Sequence, residues 1–119
     1  VAPYGILGRG KTHPRYYGAF PRILGRYVRE ENLLSLEEAI RRMTQLPAQR
    51  IGLADRGCIA PGKIADLVVF DPATIEDTAT FEQPHQYPAG ISWVVVAGEV
   101  VIDREKHTGT MCGKVLAPG

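Results

Sequence analysis

The sequence predicts an α+β fold: an N-terminal loop and two or three helices, followed by a small antiparallel β-sheet. Three observations support this fold class. Apolar residues recur at helical spacing between residues 23 and 51. A capping motif marks the start of one helix at Ser35. After Gly57 the pattern changes to short runs of β-branched and aromatic residues separated by glycine and proline.

The first element expected after the N-terminal loop is a rigid, cationic and aromatic stretch, Lys11-Thr-His-Pro-Arg-Tyr-Tyr-Gly-Ala-Phe-Pro-Arg22. Its two prolines make it a poor strand or helix interior, so we expect a loop that leads into a helix. Such loops often recognise anions. Pro21 suits the first turn of that helix. The helix should bury an apolar stripe and end near Glu31 and Asn32; the stripe comprises Ile23, Leu24, Tyr27 and Val28.

The second helix is expected to begin at a capping box formed by Ser35 and Glu38. In this motif the serine hydroxyl accepts from the Glu38 N–H, and the Glu38 carboxylate reaches back to the Ser35 N–H. Arg41 and Arg42 then lie near the helix C-terminus, where cations complement the helix dipole. A further short helical turn should start at Pro47 and end at a left-handed glycine, Gly52.

The β-rich half is expected to start after a type II turn at Pro61-Gly62. Its strands are predicted at 65–71, 92–96 and 100–102, with a tight hairpin at 97–99 and a short strand possible at 114–116. Trp93 is predicted to anchor the sheet. Residues 72–90 are rich in proline and glycine, and we expect them to form an irregular excursion over the surface. The domain division predicted is therefore 1–56 and 57–119.

Composition narrows the classes of partner. The net charge of +1 gives no reason to expect nucleic acid or a membrane surface, and the longest apolar run is far shorter than a spanning helix. Two cysteines, Cys58 and Cys112, lack a metal-like spacing and indicate reduced thiols in a cytoplasmic protein. An acid-free basic run from Arg9 to Arg29 could face an anionic ligand or could form a solvated helix face.

Several segments resemble one enzyme family in their order and spacing. The run from Leu34 to Leu53, followed by Asp55-Arg-Gly-Cys-Ile-Ala-Pro-Gly-Lys-Ile-Ala-Asp-Leu-Val-Val-Phe-Asp71, is similar to the C-terminal end of amidohydrolase-superfamily enzymes. Three further segments look like N-acyl-D-amino-acid deacylases (D-aminoacylases): His13-Pro-Arg-Tyr-Tyr-Gly-Ala-Phe-Pro-Arg22, Thr80-Phe-Glu-Gln-Pro-His-Gln-Tyr-Pro88 and His107-Thr-Gly109. The resemblance covers essentially the whole chain.

The resemblance implies the end of a TIM-type barrel in residues 1–56 and part of the amidohydrolase β-sandwich in residues 57–119. It also implies a zinc-dependent hydrolase that cleaves the amide of small-molecule N-acyl-D-amino acids. In the family, the proton-accepting aspartate and the metal ligands precede the position of Val1. The three histidines here offer no metal-site spacing. We therefore expect no catalytic residue, no metal ligand and no activity in this chain alone.

Substrate binding is expected from Arg15, because the family uses the arginine of its His-Pro-Arg motif to bind the α-carboxylate of the substrate. A guanidinium also matches a carboxylate with two parallel donors. The alternative is a surface arginine stacked on Tyr16 or Tyr17. His13 could border the pocket or donate a structural hydrogen bond, and we favour the structural role. Tyr16 is expected to pack or to form a pocket wall.

A second function class remains open from the sequence. The chain could be a stand-alone, non-catalytic module that binds a small carboxylate or another protein chain. Removal of the barrel would expose apolar helix faces and strand edges, which invite pairing between copies. We therefore expect either a homo-oligomer or an association with a missing N-terminal portion.

Overall fold

Helices form the first half of the molecule and an antiparallel sheet forms the second half. The computed structural model describes residues 10–117, so the predicted loop before Gly10 lies outside the described residues. The helical half consists of α1 (Arg15–Arg22), a π-helical segment (Ile23–Glu30), α2 (Leu36–Met43) and α3 (Gln45–Arg50). The sheet consists of β1 (Leu67–Phe70), β2 (Ile91–Val96), β3 (Glu99–Asp103) and β4 (Lys106–His107). The predicted α+β class is confirmed.

The first helix begins earlier than the sequence predicted. The expected loop over residues 11–22 is wrong in its second part, because α1 starts at Arg15, directly after Pro14. Pro21 lies inside this helix and not in its first turn. A proline in a helix interior costs about 3 kcal/mol, a penalty that packing can override, and Pro21 is buried. Directly after it the helix widens into the π-helical segment, as expected near a missing backbone donor.

The π-helical segment ends where the sequence predicted. The Glu31 N–H donates to the Arg26 carbonyl oxygen at 2.9 Å, five residues earlier. Asn32 then takes a left-handed φ of 51°, which stops the helix. The core position is confirmed for three of the four residues of the predicted apolar stripe: Leu24 is buried in the core, and Ile23 and Val28 pack against that core.

The capping box at α2 is half formed. The Ser35 hydroxyl accepts from the Glu38 N–H at 3.2 Å, as predicted. The predicted return bond from the Glu38 carboxylate to Ser35 is wrong, because that carboxylate accepts from Arg41 Nε at 2.7 Å and from Arg42 Nε at 2.6 Å. Hydrogen bonds from Arg41, and then from Arg42, lower the pKa of Glu38 to about 2. The two arginines therefore bind this side chain in addition to complementing the helix dipole.

The third helix ends as predicted, at a left-handed glycine. Gly52 has a φ of 77°, and the Leu53 N–H donates to the Ala48 carbonyl oxygen at 2.9 Å. This is the hydrogen-bond pattern of a Schellman motif. The helix starts at Gln45, two residues before the predicted start at Pro47.

The turn before the sheet also follows the local sequence signal. Gly62 has a φ of 81°, and the Lys63 N–H donates to the Ala60 carbonyl oxygen at 3.2 Å, as in a type II turn. Strand β1 follows as predicted, with narrower bounds, and Asp71 ends it by accepting from the Ala73 N–H at 2.9 Å.

The sheet has four antiparallel strands in the order β1-β2-β3-β4. The predicted hairpin joins β2 to β3, with positive φ angles at Ala97 and Gly98. Asp66 accepts from the Ala97 N–H at 2.8 Å, so it caps this hairpin. The predicted strand at 114–116 is absent from the described residues. The fourth strand is Lys106–His107 instead, a position at which no strand was predicted.

The main core joins residues that lie far apart in the chain. Leu24 and Ala39 from the helices bury against Ile75, which is only 2% exposed. Ile75 lies in the 72–90 excursion, which contains no regular helix or strand. The excursion therefore does not simply cross the surface, because it supplies the largest fully buried side chain of residues 10–117. Within the same residues, no helix combines the length and apolarity needed to cross a bilayer.

Candidate functional site

Two of the segments singled out in the sequence meet in space. Residues 10–17 lie against residues 80–88, and three aromatic contacts join them. The His13 ring lies edge-on to Phe81 with centroids 5.1 Å apart. The Tyr17 ring makes similar contacts with His85 at 5.7 Å and with Tyr87 at 5.6 Å. Because these edge-to-face contacts have specific geometry, they fix the relative position of the two segments.

Arg15 begins α1 and is exposed. Its guanidinium carbon lies 5.6 Å from the centroid of the Tyr16 ring, a cation–π contact. Within residues 10–117 no carboxylate pairs with it. A ring face offers no carboxylate oxygen, so the N–H donors of Arg15 are available to an anionic ligand. The stacked arrangement that the sequence offered as an alternative is therefore present, and it is compatible with ligand binding.

His13 supports the start of α1. Its Nδ1 accepts from the Arg15 backbone N–H at 3.1 Å, and its carbonyl oxygen accepts from the Tyr16 N–H at 3.1 Å. The His13 imidazole thus makes a structural hydrogen bond, as expected from the sequence. It accepts in this bond, whereas we expected it to donate. Tyr16 itself is 54% exposed beside the guanidinium.

Other arginines of the basic run are engaged. Arg22 Nη1 lies 2.9 Å from Asp77 Oδ2, and hydrogen bonding to Asp77 raises the pKa of Arg22. Arg29 donates to the carbonyl oxygens of Pro72 at 3.2 Å and Ile75 at 2.7 Å. The solvated helix face considered for these residues is wrong for Arg29, because it anchors the excursion to the helices. The only sequence signal was the acid-free basic run, because the two carbonyl oxygens that accept from Arg29 lie more than forty residues away in the chain.

Sequence reasoning also missed His85 as an individual residue, although its segment was singled out. Its two ring nitrogens contact Gly10 and Tyr17, which flank the segment bearing Arg15. Within residues 10–117, neither cysteine nor the third histidine, His107, hydrogen-bonds to the segment bearing Arg15. Cys58 is exposed, Cys112 is half-buried near the Val96 carbonyl oxygen, and His107 caps a turn in the tail.

Metal-binding groups do not converge in this part of the molecule. Among residues 10–117, no three histidine, cysteine, aspartate or glutamate side chains lie close enough together to hold one metal ion. The residues in that range therefore do not fit a zinc site, which needs three or four such ligands.

The sequence model of the amidohydrolase family matches residues 7–102. The chain belongs to the amidohydrolase family. It is 52% identical to a D-aminoacylase of Alcaligenes xylosoxydans xylosoxydans over 113 residues, which is 95% of this chain and 23% of that protein. The chain thus spans about a quarter of the length of this amidohydrolase relative.

Two solved structures share the fold of this amidohydrolase chain. A D-aminoacylase mutant in complex with CuCl2 matches with a TM-score of 0.87 and 50% identity, over 90% of this chain and 23% of that one. N-acyl-D-glutamate deacylase from Bordetella bronchiseptica matches with a TM-score of 0.76 and 52% identity, over 76% of this chain and 19% of that one. The latter structure contains zinc and a phosphonate inhibitor that mimics the tetrahedral reaction intermediate.

Proposed function

We propose that this chain is the C-terminal segment of a zinc-dependent hydrolase that cleaves the amide of N-acyl-D-amino acids. The main support is the sequence identity of about 50% to deacylases of that substrate class, which extends over most of the chain. In this proposal residues 1–56 close a TIM-type barrel, and residues 57–119 form part of the β-sandwich. The alternative of a stand-alone, non-catalytic module has no specific observation in its favour.

Arg15 is the residue proposed to bind the α-carboxylate of the substrate. The guanidinium of Arg15 is exposed and has no carboxylate partner in residues 10–117, a condition that Arg50 and Arg104 also meet. Two features distinguish Arg15 from them, its place in a segment that resembles the deacylases and its contact with the Tyr16 ring. Two parallel N–H donors fit a carboxylate in geometry and charge.

Two neighbours support Arg15 in this role. His13 accepts from the backbone N–H of Arg15, and the Tyr16 ring lies against the guanidinium. Tyr16 is proposed to form one wall of the site. A ligand that enters beside Tyr16 therefore meets an aromatic surface as well as a fixed cation.

Water activation is proposed to come from the rest of the polypeptide. Bound zinc would lower the pKa of a water molecule and polarise the scissile carbonyl group. Because the described residues do not fit a zinc site, the chain alone is proposed to hold the carboxylate and not to catalyse.

The isolated chain is further proposed to associate with another copy or with the remaining N-terminal portion of the enzyme. Apolar side chains on the sheet are 39% to 54% exposed, namely Val68, Val69, Trp93 and Val100. These side chains lie on both faces of the sheet, because Val68 and Val69 are consecutive in β1. Their burial would be favourable, and the edge strands β1 and β4 offer backbone groups for pairing. A single monomer boundary in sedimentation at micromolar concentration would contradict self-association.

The proposed cellular location is the cytoplasm. The two cysteines, Cys58 and Cys112, are both free thiols, which agrees with a reducing compartment.

The experiment that tests the proposal compares two proteins side by side. The isolated chain and the full-length protein that carries it are each analysed for zinc and for release of free D-amino acid from an N-acetyl-D-amino acid. We expect stoichiometric zinc and turnover only in the full-length protein. Zinc-dependent turnover by the isolated chain would disprove the inactive segment, and absence of turnover in the full-length protein would disprove the proposed activity.

A further inference from the structure

One imidazole contacts both sides of the segment that carries Arg15. His85 Nε2 lies 2.9 Å from the Gly10 carbonyl oxygen, and His85 Nδ1 lies 3.0 Å from the Tyr17 hydroxyl. Gly10 precedes Arg15 in the chain and Tyr17 follows it, so one ring holds the segment at both ends. These two hydrogen bonds are called the His85 bridge below.

The partners determine how the protons are arranged in the His85 bridge. A carbonyl oxygen only accepts, so Nε2 of His85 carries the hydrogen and donates it to Gly10. In the neutral ring Nδ1 is then an acceptor, and the Tyr17 hydroxyl donates to it. One neutral tautomer of His85, with the hydrogen on Nε2, therefore satisfies both partners in the observed ring orientation.

The segment that carries His85 is itself fixed to α1. Asp77 pairs with Arg22 at 2.9 Å, and Gly18 lies so close to Asp77 that a Cβ on this glycine would be 2.5 Å from the Asp77 Cβ. Pro84, directly before His85, is buried. The bridge thus connects the Arg15 segment to an anchored part of the molecule.

We propose that His85 is a positioning residue for Arg15. The bridge holds residues 10–17 against the excursion, so that the guanidinium keeps one location before substrate arrives. This inference rests on the proposed function, in which Arg15 binds the substrate carboxylate. His85 acts only through Arg15. Because carboxylate binding is the same in the ground state and the transition state, loss of the bridge raises KM and leaves kcat unchanged.

The test uses the zinc-loaded, full-length enzyme that carries this chain, with an N-acetyl-D-amino acid as substrate. H85L removes both bonds of the bridge. We expect KM to rise roughly fivefold to thirtyfold, because two neutral hydrogen bonds are lost and both are exposed to solvent, while kcat stays within about twofold. The matched control is H107L, which alters a histidine whose Nδ1 accepts from the Gly109 N–H at 2.9 Å in the tail. This control should leave both constants unchanged.

A double-variant cycle separates positioning from general stabilisation. If His85 acts through Arg15, H85L causes no further rise in KM in an R15Q background. A rise of KM that persists in R15Q, or a fall in kcat, would overturn the positioning role. Where H85L does not fold, H85Q and Y17F, which each lose one bond of the bridge, are judged by the same criteria.

The same cycle distinguishes this inference from the proposed function. If R15Q raises KM and H85L does not, the positioning role of His85 is overturned and carboxylate binding by Arg15 stands. If R15Q leaves KM unchanged, carboxylate binding by Arg15 is disproved, and the positioning role of His85 is disproved with it.

Discussion

Gly25 provides the sharpest test of how the excursion packs on the helices. It lies in the π-helical segment, and a Cβ built on it would be 2.6 Å from the Ile75 carbonyl oxygen. In G25A these atoms must separate by roughly 1 Å to reach an ordinary contact of about 3.5 Å. The same carbonyl oxygen accepts from Arg29 at 2.7 Å, so its displacement also weakens that hydrogen bond.

The expected magnitude for G25A follows from opposing contributions. Overpacking typically costs about 1–3 kcal/mol, and a weakened hydrogen bond costs about 1 kcal/mol. Alanine gains about 1 kcal/mol over glycine in a helix interior. We therefore expect a loss of about 1–3 kcal/mol in the free energy of unfolding, seen as a urea midpoint lower by about 1 M.

Gly113 provides the matched control, because no heavy atom of residues 10–117, apart from those of Gly113 and its chain neighbours, lies within 4 Å of a Cβ built there. G113A should change the free energy of unfolding by no more than about 0.5 kcal/mol. If G25A is as stable as the unmodified protein, or more stable, helix propensity has outweighed the contact. The close packing of Ile75 on the helix would then be refuted.

Two further substitutions test the core and the surface charges. I75A should lower the free energy of unfolding by about 2–5 kcal/mol, whereas I75V should cost only about 0.5–1.5 kcal/mol; equal losses in denaturant unfolding would contradict full burial of Ile75. For Glu38, the folded-state pKa of about 2 lies below its ordinary value of 4.5, so its stabilising contribution is present above about pH 4.5 and is lost as the pH falls through about 2. The difference in unfolding free energy between the unmodified protein and E38Q should therefore be present above about pH 4.5 and shrink as the pH falls toward about 2. E37Q, which alters an exposed neighbour, is the control. A pH-independent difference for E38Q would contradict the pairing of Glu38 with Arg41 and Arg42.

Local signals predicted much of the fold. The Ser35 cap, the Gly52 helix end, the Gly62 turn and the Ala97-Gly98 hairpin each depend on residues within a few positions of one another. The interior of α1 could not be predicted in this way. Pro21 disfavours a helix locally, and burial of that residue against the rest of the molecule overrides the local preference.

Burial of the excursion was missed for a related reason. Ile75 lies in a segment without periodicity, and its partner Leu24 is some fifty residues away in the chain. Nothing in the local pattern indicates which of the apolar residues in such a segment will be buried, because the pattern arguments depend on a regular helix or strand.

In the candidate site too, local motifs could be predicted and contacts between distant residues could not. Arg15 was identified from its resemblance to a family motif, together with the chemistry of guanidinium. His85 was not, because its hydrogen bond to Tyr17 spans 68 residues and produces no pattern in sequence. The capping box at α2 was also only partly predictable. The Glu38 carboxylate could bond to Ser35 or to the two arginines, and it bonds to Arg41 and Arg42 because hydrogen bonds between charged groups are stronger.

Carboxylate recognition by Arg15 is tested most directly by the relative KM of two substrates, an N-acetyl-D-amino acid and its C-terminal amide, in the full-length enzyme and in R15Q. The unmodified enzyme should favour the acid by about 100-fold, since loss of one partner of a charged hydrogen-bonded pair typically costs a few kcal/mol. R15Q should bind the acid and the amide almost equally. Retention of the full preference for the acid in R15Q would contradict the account.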